Sequence, residues 1–280
     1  MYESYYGFAA KPFQLSPDPR FFFSSRGHRR AMSYLIYGAQ QAEGFIIITG
    51  DIGAGKTTLA RALAGRLEIQ KVVMAQVVST QLEADDMVRM VAAAFNLPSE
   101  PNKAILLRNL EQFLLTCHRN GRRALLIIDE AQNLPLKSVE ELRMLSNFQH
   151  GNKTLLQSFL LGQPEFRQTL QRPELEQLRQ RVIASCHLGP IDEAETEGYI
   201  THRLKTAGWN GDPSFAPDTF RAIYQYTSGI PRKINLLCDR LLLMGQIEQK
   251  HAFSGKDVAD VIDELQQELA PAAINNGTLT

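Results

Sequence analysis

The sequence predicts an α/β fold, a parallel sheet flanked by helices around a phosphate-binding loop, followed by a separate all-helical domain. Three observations carry this. The apolar run Phe45-Ile46-Ile47-Ile48 leads into Gly50-Asp51-Ile52-Gly53-Ala54-Gly55-Lys56-Thr57-Thr58 and then into a helical pattern. That is the strand-loop-helix setting which the motif G-x-x-x-x-G-K-[ST] requires. Short apolar segments alternate with helical ones as far as Gly189-Pro190, the signature of βαβ units and a parallel sheet. Beyond that break the pattern is helical throughout.

Glycines in the loop let the backbone fold tightly, so that successive N–H groups and the positive end of the next helix point at an anion. Residues 50–58 are therefore the candidate nucleotide-binding segment. Lys56 is expected to reach the β- and γ-phosphates, and Thr57 to ligate Mg²⁺.

Residues 1–25 carry Phe8, Pro12, Phe13, Pro17, Pro19 and Phe21-Phe22-Phe23. Dense prolines oppose regular helix, so an extended arm pinned by its aromatics is expected here. Met32, Leu35, Ile36 and Ala39 recur at helical spacing between Arg26 and Ala42,. After the loop helix, Lys71 to Val78 reads as a buried strand, with Ser79-Thr80 capping a helix from near Glu83. Lys103 to Arg119 is a second helix with Leu106, Leu107, Leu110, Phe113, Leu114 and Cys117 on one side.

Ala124 to Ile128 is an apolar strand that ends in Asp129-Glu130. In a parallel sheet such carboxylates emerge at the C-terminal edge, where ligands bind. Asp129 is then expected in the Mg²⁺ shell, and Glu130 to orient or deprotonate the attacking water. A helix over 137–148 and a strand over 154–161 lead to Gly162-Gln163-Pro164-Glu165, which places Gln163 near the γ-phosphate or the water. Leu178-Arg179-Gln180-Arg181-Val182 closes a helix and opens the strand 182–187. Arg179 and Arg181 are either helix-end charges or a source of positive charge for a neighbouring subunit's site. Cys186 and His187 are adjacent and so face opposite sides of that strand, which argues against a Cys/His catalytic pair.

Helices are expected over 193–207, 217–227, 232–248 and 256–269. Arg232, following Gly229-Ile230-Pro231 at a helix start, is a candidate γ-phosphate sensor. The domain reading is 1–190 for the loop-bearing domain with its arm, 191–268 for the helical domain and 269–280 for a disordered tail.

The 280 residues are 44% apolar, enough for a packed core,. Thirty basic residues balance thirty acidic ones, so no global field draws the chain to nucleic acid or anionic lipid, and neither is expected as a partner. Cys117, Cys186 and Cys238 are odd in number and far apart, which excludes a disulfide framework or a C-x-x-C metal pair,. The first residues lack a charged segment followed by an apolar one, so no export signal is expected. No apolar run approaches the roughly 18 residues of a membrane span. Membrane contact is expected only through partners.

With these motifs in order, the chain resembles the AAA+ ATPases and, more narrowly, the general-secretion-pathway protein A family. Within it the chain is most similar to the secretion ATPases associated with bacterial PEP-CTERM/exosortase loci and exopolysaccharide export. The residues that carry this are 1–8 (Met1-Tyr2-Glu3-Ser4-Tyr5-Tyr6-Gly7-Phe8), Lys11-Pro12-Phe13, Ser16-Pro17-Asp18-Pro19, Asp129-Glu130-Ala131-Gln132-Asn133-Leu134, Gly162-Gln163-Pro164-Glu165 and residues 234–240 (Ile234-Asn235-Leu236-Leu237-Cys238-Asp239-Arg240). The resemblance implies a P-loop NTPase sheet of order 5-1-4-3-2 with a helical lid, an N-terminal arm near the adenine, Arg232 as second sensor, and a finger arginine at Arg179 or Arg181. It further implies Mg²⁺-dependent ATP hydrolysis by a homo-oligomer that works with secretion or polysaccharide-export proteins, in the cytoplasm or peripherally at the inner membrane. The alternative is a DNA-binding ATPase resembling transposition target selectors, which the balanced charge disfavours.

Overall fold

The computed structural model describes residues 2–16, 18–41, 43–68, 72–78, 84–100 and 102–269. The expected cap at Ser79-Thr80, the helix start near Glu83 and the tail 270–280 lie outside them. The chain divides into two units, one of residues 17–189 and one of residues 1–16 with 190–280.

In the first unit five parallel strands form one sheet: β1 (Phe45–Gly50), β2 (Val72–Val78), β3 (Arg123–Asp129), β4 (Leu156–Gly162) and β5 (Val182–Leu188). Their spatial order is β2-β3-β4-β1-β5, the 5-1-4-3-2 order read in the opposite direction. Register is set by alternation. Phe45, Ile47, Leu126, Ile128, Leu156 and Leu160 face one core with the helices Ala84–Ala94, Lys103–Arg119 and Leu136–Leu145. Ile46, Ile48, Leu125, Ile127, Phe159 and Leu161 face the other, with the helices Arg26–Gln41 and Lys56–Glu68. A one-residue slip of any central strand would exchange these two sets. Each fully buried Leu, Ile or Phe contributes about 1.5–3 kcal/mol, so both layers hold the strand ends in a common plane.

The strand expected from Thr154 begins at Leu156. Lys153–Thr154 instead pairs antiparallel with Gln149–His150 in a small hairpin. Gly151 at φ +61° makes that turn, a conformation open to glycine without steric cost. The preceding helix accordingly stops at Leu145 rather than 148.

The second unit is built on the helices Glu193–Thr206, Pro217–Thr227, Pro231–Ile247 and Gly255–Leu269. Two short parallel strands, Ser214–Phe215 and Ala252–Phe253, were not expected from the sequence. The opening residues also depart from expectation. They belong to this helical unit rather than to the loop-bearing one, and Tyr2–Tyr6 is a short helix, since none of the prolines falls within it. The physical reason is a set of polar ties beneath buried aromatics. The Tyr2 hydroxyl donates to Asp239, which also pairs with Lys11 at 3.0 Å. Buried Arg203 donates from Nε to the Pro12 carbonyl at 2.6 Å and from Nη2 to the Gln14 carbonyl at 3.3 Å. Phe13, between the two tied carbonyls in sequence, is only 1% exposed.

Arg203→Ala should therefore cost about 2–3 kcal/mol, the scale of buried charge-assisted hydrogen bonds. Limited proteolysis should then cut within residues 8–16. Resistance of that segment equal to the wild type would show that the aromatics alone hold it.

Candidate functional site

The C-terminal ends of β1, β3 and β4 lie side by side in the sheet or one strand apart, and of the expected polar residues Lys56, Thr57, Asp129, Glu130 and Gln163 lie at or just beyond them. Residues 50–58 turn from β1 into the helix Lys56–Glu68. Gly53 (φ +83°) and Gly55 (φ +93°) adopt a backbone that side chains disfavour,. Ala54 is buried within the turn, whereas Ile52 points outward and is 60% exposed. Asp51 closes the turn by accepting from the Ala54 N–H at 3.1 Å.

Lys56 is only 6% exposed. Its Nζ folds back over the loop and donates to the Gly50 and Asp51 carbonyls at 2.7 and 3.1 Å. Burial lowers its pKa, and the nearby Glu130, Asp129, Asp51 and Glu165 oppose that shift. A buried ammonium is thereby held where an anion would stabilise it.

Thr57 Oγ1 donates to Asp129 Oδ2 at 2.6 Å. Asp129 is 6% exposed, and its other oxygen accepts the Glu130 N–H at 3.0 Å. A hydroxyl and a carboxylate this close form an all-oxygen donor pair of the kind hard divalent cations take. Together with the glycine turn and the buried ammonium, this fits a Mg²⁺-nucleotide.

Glu130 follows with φ +55° and ψ +41°, a left-handed conformation that costs a non-glycine residue of order 1 kcal/mol. Oε2 of its carboxylate accepts from Gln132 Nε2 at 2.6 Å and from Gln163 Nε2 at 3.3 Å. Gln132 Oε1 in turn accepts the Gln163 backbone N–H at 2.9 Å. A carboxylate only accepts and a backbone N–H only donates, so both ends dictate the same orientation for the Gln132 amide. The sequence singles out Gln132 only as part of the 129–134 run and points to no role for it. The signal for it is an amide two residues past a strand-end acid, within reach once the short 3₁₀ turn Ala131–Asn133 forms.

The arginines separate. Arg179 Nη1 donates to the Leu170 and Arg172 carbonyls, both at 2.7 Å, tying together the short helices before β5. Arg181 Nη1 donates to Ser146 Oγ at 2.7 Å. Arg232 lies in the helical unit, exposed in the first turn of Pro231–Ile247. Thr58 lies in the first turn of the helix that follows the loop. Of the cysteines, burial pushes Cys186 up to about 11 and raises Cys117 and Cys238 as well, so none is a ready thiolate nucleophile.

At the opposite, N-terminal end of the strands lies a cleft of about 610 Å³ lined in part by His118, Arg122, Arg123 and Lys153. Arg123 is spent there on the Ala39 carbonyl at 2.9 Å. The helices Arg26–Gln41 and Lys103–Arg119 both end near this cleft, and basic residues are favoured at such ends without any ligand.

The sheet order, the phosphate loop and the acid-bearing strand beside it define the P-loop AAA+ fold, here with a helical C-terminal region. In keeping with this, residues 39–170 match the AAA domain family. The chain is 34% identical over 261 residues to general secretion pathway protein A of Aeromonas hydrophila, covering 92% of this chain and 47% of that relative. It thus spans about half that protein's length. Among solved structures it is similar to the Aeropyrum pernix ORC2 protein (TM-score 0.68, 15% identity, 93% of this chain and 74% of that one). It is likewise similar to Cdc6p from Pyrobaculum aerophilum (TM-score 0.70, 14% identity, 90% and 70%). At these identities the structural likeness concerns the fold alone. Among the described residues, no helix is long and apolar enough to cross a membrane.

The amide network makes a ranked prediction. Gln132→Ala strips Glu130 of its shorter donor and leaves the Gln163 N–H without its acceptor, a loss of about 1–3 kcal/mol. Gln163→Ala removes only the 3.3 Å contact and should cost less. Urea denaturation giving the reverse order would contradict this wiring.

Proposed function

We propose that this chain is an ATP-hydrolysing AAA+ protein of the general-secretion-pathway protein A-like family, and that its turnover serves a bacterial envelope secretion or export system. The observation that carries the catalytic part is the meeting of Lys56, Thr57, Asp129 and Glu130 at one sheet edge. The similarity over 261 residues supports the secretion part. The narrower assignment, to exosortase-linked exopolysaccharide export, rests on the sequence resemblance of the opening and strand-end motifs.

In this reading the loop N–H groups and Lys56 bind the phosphates, Lys56 exchanging its two carbonyl acceptors for phosphate oxygens. Thr57 and Asp129 would hold Mg²⁺, which supplies neutralisation of phosphate charge. Glu130 orients and deprotonates the attacking water once its carboxylate is released from the Gln132 and Gln163 amides, and Gln163 is then available to the γ-phosphate or the water. Arg181 is better suited than Arg179 to act as a finger on a second copy. It has one exchangeable hydroxyl partner, whereas Arg179 holds two carbonyls of its own fold. Arg232 is assigned as a phosphate sensor on its chemistry, since a cation at a helix N-terminus opposes the helix dipole. Partners are secretion-machinery proteins and further copies of the chain, with localisation in the cytoplasm or peripherally at the inner membrane. The zero net charge gives no global attraction that would favour the DNA-binding alternative,.

Two variants test this. Lys56→Ala should weaken ATP binding on the order of 10²-fold by removing the phosphate-facing charge. Glu130→Gln should bind ATP normally but turn it over about 10²–10⁴-fold more slowly, the usual span of general-base catalysis. Wild-type affinity should also fall as pH rises through the lowered Lys56 pKa, because the complex requires the ammonium. Equal ATP affinity in wild type and Lys56→Ala would refute the site.

A further inference from the structure

A glycine-rich phosphate loop carries a built-in weakness. Glycines lose more conformational freedom on ordering than any other residue, so a loop left to itself must be ordered by its ligand at the expense of affinity. On one side Lys56 pins the turn to the Gly50 and Asp51 carbonyls. On the other, the contact comes from outside the loop. His28, 6% exposed, presents the Nε2 edge of its ring to Gly55, 3.1 Å from where a β-carbon at that position would stand. The ring does the packing that a side chain at residue 55 would do, and φ +93° bars such a side chain.

His28 is itself held from behind. Ser25, 2% exposed, places Oγ 2.7 Å from His28 Nδ1 and also accepts the His28 backbone N–H at 3.2 Å, as the residue preceding the helix Arg26–Gln41. The Phe22 ring stands edge-on to the imidazole at 5.5 Å between centroids. Buried Ser25 and His28, with the half-buried Phe22 ring, thus form a small brace whose face is turned to the phosphate loop.

We infer that His28 is a positioning residue for nucleotide binding. Held by Ser25, it keeps the Gly53–Lys56 turn in its phosphate-ready shape and so sets nucleotide affinity while taking no part in hydrolysis. The inference rests on the nucleotide reading above and adds to it a residue outside the loop motif. Its action is preorganisation, in which a group already ordered costs less to bind.

The test measures ATP affinity, KM and kcat, and the melting temperature without nucleotide, for wild type, His28→Ala and His28→Gln. Alanine opens the space over Gly55 and returns freedom to about one residue, so Kd and KM should rise about five- to tenfold with kcat within twofold. Glutamine, which spans a similar reach with a terminal amide, should restore affinity to within about threefold, a difference below one lost hydrogen bond. The nucleotide-free melting temperature should differ little between the two variants. Unchanged affinity in His28→Ala overturns the inference. So does a fall in kcat with KM unchanged, or a fall in melting temperature and affinity together that glutamine fails to reverse, since either would make His28 a catalytic or merely structural residue. If wild type itself shows no rise in melting temperature with ATP, the nucleotide reading fails, an outcome separate from failure of the brace.

Discussion

The hydrogen bond from Thr57 to Asp129 is the constraint on which the site depends. Thr57 belongs to the helix that follows β1, Asp129 to the end of β3, and β4 lies between those strands. A contact of 2.6 Å across an intervening strand requires all three registers to be right at once. The two apolar faces of the sheet enforce those registers, because slipping one strand would turn its buried residues the wrong way. Core packing and site chemistry are therefore one requirement, in which Ile46, Ile48, Ile127 and Phe159 hold the strand ends that carry the polar groups.

The polar groups are also paired with one another. Lys56 lies on loop carbonyls, Asp129 accepts from Thr57 and the Glu130 amide, and Glu130 is gripped by Gln132 and Gln163. Buried polar groups left unpaired are costly, so this self-satisfied arrangement is the stable one for the chain alone. On the proposed function a ligand must replace several of these bonds together. Glu130 in its left-handed backbone conformation is the point where strain and pairing coincide, and on that proposal it is where binding would be coupled to catalysis.

Much of the fold was legible because its signals are local. The loop motif, the apolar strand ending in Asp129-Glu130 and the helical spacing of Leu106, Leu110 and Leu114 each fall within a single element. What the sequence concealed depends on contacts between distant segments. The attachment of residues 2–16 to the helical unit rests in part on Arg203, nearly two hundred positions away. The hairpin at 149–154 replaced the start of an expected strand because Gly151 permits a tight turn that apolar periodicity does not register. Gln132 and His28 are ordinary residues by type, and only the turn at 131–133 and the packing of Arg26–Gln41 beside the loop helix bring them to the site. The two arginines before β5 looked equivalent in sequence and are distinguished only by what each one holds.

On the proposed function, residues 50–58 form a phosphate-binding cradle completed by the end of β3. Hydrogen–deuterium exchange with and without saturating Mg²⁺-ATP measures this at the backbone amides themselves. Exchange should slow chiefly at residues 53–58 and at 129–132, with the N-terminal ends of the same strands unchanged. Unaltered exchange across 53–58 under conditions where ATP is bound, or protection confined to the cleft around His118 and Arg122, would contradict it.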